Sequence, residues 1–386
     1  MTELPPGFTL LQIVPALDTG GAEQSVVDAA GAVVRAGGRA LVASSGGRMV
    51  ERLEAVGGEH VRMAAESKSP VTIAANAFRL AGVVRREKAH LLHVHSRAPA
   101  FSALWAARMT GRPVVASYHG AYAAQGGIKR WYNAVMTRAD LTLANSAFTR
   151  AHVLEEHDIP ADRVVTVPLG VDFDRFDPAA VAPERIRALE ATWGLSPNER
   201  RMRFLLAGRL ARIKGHLTLF EAAWRLKAQG RSDMLLLFAG EGRDDYRDEV
   251  LATFAGAGMS DTVRLVGRCE DMPAAYLAAD AVAAPSLVPE TFGLTTVEAQ
   301  AMGRPVLASA LGAMPETVED GRTGWLIPAG DGKAWAEALA RAADLSPQAL
   351  VAMGQAGRVR AQALFSKEAA ERALFSAYRR ALGMRP

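Results

Sequence analysis

The sequence predicts two α/β domains of the doubly wound type, each a parallel sheet with helices on both faces. Its 386 residues are enough for two domains. Thirteen short apolar runs alternate with longer segments of helical periodicity, as in parallel βαβ units. Thirteen strands are more than a single open sheet usually contains. Residues 170–203 have no strand pattern and are rich in aspartate and proline, which places the domain boundary there.

The predicted strands are the apolar runs that separate the helical segments. In the first half they lie at Phe8–Ala16, Ala40–Ser44, His60–Met63, Leu91–His95, Val114–Tyr118, Leu141–Asn145 and Val164–Val167. In the second half they lie at Arg203–Ala207, Met234–Ala239, Val263–Val266, Ala281–Pro285, Val306–Ser309 and Gly324–Ile327.

The two domains are assigned to residues 1–172 and 173–365, with a final helix in residues 366–386 that is expected to pack back on the first domain. That helix is predicted over Ser366–Leu382, and Ser366 is a suitable N-cap. Its apolar residues recur at helical spacing, at Ala370, Leu374 and Tyr378.

The composition is that of an ordinary globular protein, with 49% apolar and 22% charged residues, and it argues against disorder. The single cysteine, Cys269, cannot form an internal disulfide. The first residues lack the pattern of a signal peptide, and no apolar run reaches the length of about 18 residues that a spanning helix needs. We therefore expect a cytoplasmic protein.

The net charge of +4 lies in the first part of the chain, where residues 1–170 hold 18 Lys and Arg against 14 Asp and Glu. The segment Ile128–Arg138 mixes basic and aromatic residues at helical spacing, as do helices that rest at a membrane interface. These features favour an anionic acceptor or an anionic membrane surface, at the inner face of the cytoplasmic membrane. An ordinary helix with a basic, solvated face is the alternative. The excess is small and lacks a recognition motif, so nucleic acid is not expected as a partner.

Ligands of doubly wound sheets bind beyond the carboxyl ends of the strands, so the residues that follow each strand are the candidates for a site. Gly20 and Gly21 follow the first strand and open a helix. Paired glycines let the backbone approach a ligand, and the helix points its free N–H groups at it. This pattern suits a phosphate; a plain strand-to-helix turn is the alternative.

The segment Gly208–Gly215 follows the first strand of the second half and is rich in basic residues. Arg209 offers a planar fork of donors and Lys214 a compact charge, and both suit a diphosphate. The segment is not a Walker loop, because the glycine pattern and the final Ser or Thr are missing. A solvated basic loop is the alternative.

The segment Pro285–Ala299 follows a strand, opens a helix and carries two carboxylates, Glu290 and Glu298. Between them, the turn Phe292-Gly293-Leu294 presents backbone N–H groups to an anion at the start of the helix. A glutamate in the first turns of the helix suits a ribose diol, and one before the turn suits sugar hydroxyls.

Other interpretations of these carboxylates stay open. Thr295 and Glu298 have the spacing of a capping box, and Glu290 fits a solvated loop acid. Paired carboxylates are also typical of glycoside hydrolases. We favour a diphosphate site over a hydrolase, because the pair lies in a strand–turn–helix with anion-binding geometry.

Two histidines, His95 and His119, end strands of the first domain, where each suits a hydrogen bond to a sugar or phosphate or a purely structural one. No fitting cluster of Cys, His and carboxylates accompanies them, so they are not expected to bind a metal. The one Asp-x-Asp pair, Asp172 and Asp174, lies in the linker. We therefore expect neither an essential metal nor a cofactor.

Taken together and in this order, the segments resemble the retaining glycosyltransferases of "group 1", family four of the sequence-based classification. The resemblance covers nearly the whole chain and is strongest over Pro285–Asp331. It is carried by Glu290–Leu294, Glu298–Val306 and Pro315–Gly324. It implies the GT-B fold, in which two Rossmann-like domains face each other across a cleft. The first domain would bind the acceptor and the second the nucleotide-sugar.

The resemblance also implies roles for individual residues. Arg209 and Lys214, on the loop that Gly208 opens, would neutralise the donor diphosphate. Glu298 would bind the ribose, and Glu290 the donor sugar. The remaining donor contacts would come from Gly21, His119, Gly267, Arg268, Phe292, Gly293 and Leu294. Of these, Gly267 and Arg268 would lie near the base, and His119 would approach the sugar.

The implied activity is metal-independent, retaining transfer of a sugar from a nucleotide-diphosphate donor to a saccharide or lipid-linked acceptor. UDP is the first choice for the nucleotide and GDP the second. The pathway would be lipopolysaccharide, polysaccharide or glycolipid biosynthesis. A nucleotide-sugar epimerase of similar architecture is one alternative, and a non-catalytic partner subunit of an envelope-polymer assembly is another. The retained charges at Arg209, Lys214, Glu290 and Glu298 argue against the latter.

Overall fold

The chain divides into two compact units in a computed structural model that describes residues 4–18, 20–120, 126–196 and 198–384. Unit 1 comprises Met1–Gly170 together with Glu368–Pro386, and unit 2 comprises Val171–Lys367.

Unit 1 is a seven-stranded parallel sheet with helices on both faces. Its strands are β1 (Thr9–Ile13), β2 (Arg39–Ser44), β3 (Glu59–Arg62), β4 (Leu91–Val94), β5 (Val114–Tyr118), β6 (Leu141–Ala144) and β7 (Val164–Thr166). Its helices are α1 (Gly21–Arg35), α2 (Val50–Ala55), α3 (Pro70–Arg86), α4 (Arg97–Thr110), α5 (Gly127–Asn133) and α6 (Ala147–Glu156). The strand order is β3-β2-β1-β4-β5-β6-β7, so β1 and β4 flank the point where the order reverses.

Unit 2 repeats this architecture with six parallel strands. They are β8 (Met202–Ala207), β9 (Met234–Ala239), β10 (Val263–Gly267), β11 (Ala281–Ala284), β12 (Val306–Ser309) and β13 (Gly324–Ile327). The helices are α7 (Pro183–Thr192), α8 (His216–Ala228), α9 (Asp244–Gly256), α10 (Met272–Leu277), α11 (Leu294–Ala301), α12 (Met314–Thr317), α13 (Gly332–Ala343) and α14 (Pro347–Phe365). The order β10-β9-β8-β11-β12-β13 reverses between β8 and β11.

All thirteen predicted strands are present, and the central ones are buried between layers of helices, as in other parallel sheets. Every residue of β9 is buried, for example. The edge strand β3 has no fully buried residue. The largest difference is at β1, which ends at Ile13 and not at Ala16. Pro15 lacks the N–H that would continue the ladder.

The last helix, α15 (Lys367–Ala381), confirms the helix predicted over Ser366–Leu382. Phe375 and Tyr378 of α15 are buried in the core of unit 1, where the ring of Tyr378 lies 6.1 Å from that of Phe8. An ion pair between Arg35 and Glu371 joins α15 to α1.

The helix predicted over Ile128–Arg138 is wrong in its extent. The helical segment α5 ends at Asn133, and a separate 3-10 helix spans Met136–Arg138. Val135 and Met136 are buried in the core, so the chain turns inward there and does not continue as a surface helix. Among the helices of the described ranges, none is both long enough and apolar enough to cross a membrane.

Candidate functional site

The loops after β8 and β11 meet at the point where the strand order of unit 2 reverses. Because β8 and β11 are parallel neighbours, their carboxyl ends lie at the same edge of the sheet. The N–H of Leu287 donates to the carbonyl of Ile213 at 2.8 Å. Gly215 has φ +73°, and a Cβ there would lie 1.9 Å from the carbonyl oxygen of Pro285. Only glycine permits this approach of the two predicted segments.

A polar cluster forms where these loops touch. Nζ of Lys214 and Oε1 of Glu290 form an ion pair, and Oγ of Ser286 donates to the same carboxylate oxygen at 2.6 Å. Both members of the ion pair are half-buried. Two donors therefore hold the Glu290 carboxylate in place. The ion pair with Lys214 links the loop after β8 to the loop after β11.

Gly208 and Arg209 begin the first of these loops, directly after β8. A Cβ at Gly208 would lie 3.9 Å from Cε of Lys214, so the lysine side chain runs close to the glycine. Arg209 is exposed. Within the residues that the structure describes, its guanidinium has neither a hydrogen-bond acceptor nor an ion-pair partner. Arg212 on the same loop forms an ion pair with Glu249. The loop thus carries two paired cations and one, Arg209, that is available to an anion.

Glu298 lies on α11 with its carboxylate turned towards α10. Oε2 of Glu298 accepts a hydrogen bond from the hydroxyl of Tyr276 at 2.7 Å. Burial raises the pKa of this carboxyl to about 7, although the Tyr276 hydroxyl and the nearby charge of Arg175 act in the opposite direction. The proposed capping box with Thr295 is wrong, because α11 has Gly293 as its N-cap and no side-chain cap. Glu298 is four residues beyond the first residue of this helix, too far along for that role.

The turn Phe292-Gly293-Leu294 begins α11. Gly293 has φ +83°, a left-handed conformation that glycine adopts without strain. The Phe292 side chain is buried, with its ring 5.5 Å from that of Phe365 in an edge-on arrangement. Phe292 therefore offers a ligand only its backbone, whereas Gly293 and Leu294 place their backbones at the helix N-terminus.

Gly267 and Arg268 lie two strands away from this cluster. Gly267 ends β10, where the register with β9 shifts, and its carbonyl accepts from the N–H of Gly240 at 2.8 Å. Arg268 lies 3.5 Å from Glu270 as an exposed ion pair. The structure thus places them at the same edge of the sheet, separated from β8 by β9.

In unit 1, the two predicted site residues follow different strands. Gly21 is the exposed first residue of α1, after β1. His119 follows β5, and its Nε2 lies 3.2 Å from Nδ1 of His95. Nε2 of His95 in turn contacts Oε1 of Gln12 on β1 at 2.9 Å. Burial lowers the pKa of His119 to about 4 and that of His95 well below its ordinary value, so both rings are neutral at pH 7.

This chain of contacts fixes which nitrogen of His119 carries hydrogen. The amide nitrogen of Gln12 donates to the carbonyl of Val26 at 2.9 Å, so its oxygen accepts from Nε2–H of His95. Neutral His95 then has an unprotonated Nδ1, which accepts from Nε2–H of His119. Nδ1 of neutral His119 is therefore a hydrogen-bond acceptor.

Several residues of these clusters are not predictable from the sequence pattern. Ser286 and Tyr276 gave no signal, because their roles depend on how two loops and two helices meet. Gln12 does carry a signal in the sequence, because it is a polar residue flanked by Leu11 and Ile13 in a fully buried strand. His93 was also passed over; it contacts Tyr378 and Ser117, each at 2.8 Å.

No group of three or more His, Cys, Asp or Glu side chains is arranged to hold a metal ion in the described ranges. The Asp172 carboxylate of the Asp-x-Asp pair is 2.8 Å from Nζ of Lys367.

Two family models match the chain in separate regions. The model described as "Glycosyltransferase Family 4" matches residues 19–175. The model described as "Glycosyl transferases group 1" matches residues 201–344, which include both loops of the unit 2 cluster.

Among curated proteins, the chain is similar to the D-inositol 3-phosphate glycosyltransferase of Salinispora tropica. The two are 35% identical over 229 residues, which is 57% of this chain and 47% of that protein. The chain thus spans about half the length of the curated relatives it matches.

Two solved structures extend the likeness over almost the whole chain. A glycosyltransferase from Rickettsia africae has a TM-score of 0.90 and 29% identity, covering 97% of this chain and 98% of that one. HepE of Anabaena, solved in complex with UDP and glucose, has a TM-score of 0.83 and 21% identity, covering 96% and 99%. At 21% identity, the likeness to HepE supports the fold alone.

Proposed function

The chain belongs to the group 1 glycosyltransferases and has the GT-B fold, and from this premise we propose the reaction that it catalyses. It transfers a sugar from a nucleotide-diphosphate donor to a hydroxyl of a saccharide or lipid-linked acceptor, and it retains the anomeric configuration. The product belongs to a lipopolysaccharide, a polysaccharide or a glycolipid.

One observation carries the proposal: two adjacent strand ends of unit 2 bring together cations, carboxylates and a helix N-terminus. Lys214 and Arg209 lie on one loop, and Glu290 lies on the other, just before α11. This set of groups matches the parts of a nucleotide-sugar, which are a diphosphate, a sugar and a ribose. UDP is our first choice of nucleotide and GDP our second; that HepE of similar fold was solved with UDP supports the first.

In the proposed binding mode, each polar group has one task. Arg209, Lys214 and the backbone of Gly293 and Leu294 neutralise the diphosphate. Glu290 accepts hydrogen bonds from the donor sugar, and Glu298 accepts them from the two ribose hydroxyls. In unit 1, His119 approaches the donor sugar, and Gly21 allows the backbone to approach the diphosphate and the acceptor.

The chemical step breaks the bond between the anomeric carbon and the diphosphate oxygen. The acceptor hydroxyl arrives on the same face, its oxygen bonds to the anomeric carbon, and its proton passes to the departing phosphate oxygen. Negative charge grows on the diphosphate as it leaves, so Lys214 and Arg209 stabilise the transition state more than the ground state. We propose that these cations do the work for which other transferases use a metal ion.

Thermal stability with UDP, GDP and ADP, in EDTA throughout, tests the donor site. A nucleotide at about 100 times its dissociation constant stabilises the folded state by about 2.7 kcal/mol. We expect one nucleotide to raise the melting temperature of the wild type and not that of Glu298→Ala. Glu337→Ala, an exposed carboxylate on α13, is the matched control.

Transfer itself is tested with the preferred donor and a panel of acceptors. Lys214→Ala should lower the rate by orders of magnitude while the protein stays folded, and Lys333→Ala on α13 should not. The coupling constant of the anomeric proton in the product reports retention. A wild-type rate for Lys214→Ala would refute the proposed role of this lysine. An inverted product would refute the retaining mechanism. Conversion of the donor to an epimer in the absence of acceptor would refute the transferase activity itself.

A further inference from the structure

The positive charge of unit 1 is concentrated in one continuous segment. Residues 67–139 contain 11 Lys and Arg and a single acid, Glu87, which is 11 − 1 = +10 in a chain whose net charge is +4. The rest of the chain therefore carries 4 − 10 = −6. Glu87 itself is paired with both Arg39 and Arg86. The helices of this segment, α3, α4 and α5, contain no acidic residue at all.

The same helices expose large apolar side chains. Phe78 on α3 is 69% exposed, Trp105 on α4 is 47% exposed and Trp131 on α5 is 53% exposed. Val71 and Met109 are exposed as well. Isolated exposed apolar residues are ordinary, but two tryptophans and a phenylalanine on three successive helices form a group that needs an explanation.

These side chains belong to one surface. Phe101, Trp105 and Met109 follow at intervals of four residues along one face of α4. The ring of Trp131 lies 5.4 Å from that of Phe101, which joins α5 to this stripe. A guanidinium nitrogen of Arg85 donates to the carbonyl of Met109 at 2.9 Å, which joins α3 to it. We call this surface of α3, α4 and α5 the arginine–aromatic face.

Exposed arginines lie among and beside the apolar groups of this face. Arg79 neighbours Phe78 in the chain, Arg108 lies between Trp105 and Met109, and both are exposed. The guanidinium of Arg138 lies 5.2 Å from the ring centre of Trp131. The opposite sides of α3 and α4 are buried in the core of unit 1, so the face is what these helices leave open.

We propose that the arginine–aromatic face binds the surface of a bilayer that contains anionic lipids. Arginines attract the negative surface, each contributing about a fivefold gain in affinity. Tryptophan and phenylalanine rings reach the boundary between headgroups and acyl chains, where such side chains are favoured. A soluble polyanion would use the same arginines but offers no apolar contact to Val71 and Phe78. This binding goes beyond the proposed transfer reaction and does not depend on it.

Flotation of the full-length protein with vesicles tests the proposal. The probes are vesicles of phosphatidylcholine alone and of equal parts phosphatidylcholine and phosphatidylglycerol. We expect binding to the mixed vesicles only, and weaker binding as salt rises, because the Debye length shortens. A wild-type protein that is folded and shows no preference for the mixed vesicles would overturn the proposal.

Two pairs of variants locate the bound surface. The double variant Arg79→Gln, Arg108→Gln should weaken binding about 30-fold, while Arg243→Gln on unit 2 leaves it unchanged. Trp105→Ala should weaken binding to the mixed vesicles, while Trp224→Ala, which removes a tryptophan that is 48% exposed on α8, should not. Near-ultraviolet circular dichroism confirms that each variant is folded.

Two results would refute the assignment. Equal losses of vesicle binding for Trp105→Ala and Trp224→Ala would show that exposed tryptophans contribute to binding wherever they lie on the protein. A second refuting result is competition by heparin or RNA that depends on Arg79 and Arg108 while Trp105→Ala has no effect on vesicle binding. That outcome would assign the face to a soluble polyanion.

Discussion

We expect Glu298 to make this protein less stable at alkaline pH and Glu298→Gln to remove that cost. The wild-type carboxyl is buried beside Tyr276, with a pKa raised to about 7 from an ordinary 4.5. In the unfolded chain it ionises at its ordinary pKa, so between these two values the folded state holds the proton and the unfolded state does not. The contribution of this carboxyl to the free energy of unfolding is therefore fully present below pH 4.5 and is lost as pH rises through 7.

The size of this effect follows from the two pKa values. Each pKa unit corresponds to about 1.36 kcal/mol, so the free energy of unfolding of the wild type should fall by about 3 kcal/mol across the interval. Glutamine cannot ionise, and its amide oxygen still accepts the hydrogen bond that Tyr276 donates. We expect Glu298→Gln to match the wild type near pH 4.5 and to exceed it by about 3 kcal/mol at pH 9.

Urea unfolding followed by tryptophan fluorescence measures this difference. Wild type and variant are compared at each pH, so the titration of all other groups cancels. Glu337→Gln, which alters a carboxylate that is 65% exposed, should show no growing advantage. An advantage of Glu298→Gln that stayed constant from pH 4.5 to pH 9 would contradict a buried, titrating carboxyl.

Three further predictions concern single contacts. Tyr276→Phe removes the hydroxyl that stabilises the Glu298 carboxylate, so its pKa rises; if UDP is the nucleotide as proposed, calorimetry should show the pH midpoint of UDP binding move upward, and an unmoved midpoint would count against the contact. Gln12→Leu removes the acceptor for Nε2–H of His95, and nitrogen-15 spectra should change from one tautomer to a mixture. Gly293→Ala forces φ +83° on alanine and should cost about 1–2 kcal/mol in urea unfolding.

The fold could be predicted from the sequence because its determinants are local. A strand buried on both faces must be apolar over most of its length, and turn residues must end it, so thirteen strands could be placed by counting. Helix ends were less predictable. The helix from Ile128 was expected to continue to Arg138, but burial of Val135 and Met136 against the sheet broke it. That burial depends on the tertiary structure, which periodicity does not contain.

The candidate site was predictable only where the chain order places residues beyond strand ends. Lys214 and Glu290 could be named because β8 and β11 each end just before them, but their ion pair and its third member, Ser286, required the two loops to be adjacent. Glu298 could be named, but its spacing from Thr295 left a capping box open as an alternative. Because the helix begins at Leu294, Glu298 lies beyond its first turn, and its side chain accepts the hydrogen bond from Tyr276.

Glu298 and Gln12 show the same physical principle in the two units. Each polar side chain would lower stability if burial left it without a partner. Tyr276 partners the first, and His95 with the carbonyl of Val26 partners the second. Glu298 keeps a raised pKa even so, which means that its partner does not fully offset burial. Two further hydroxyls that donate to this carboxylate, such as those of the proposed ribose, would favour its charged form and offset more of the burial.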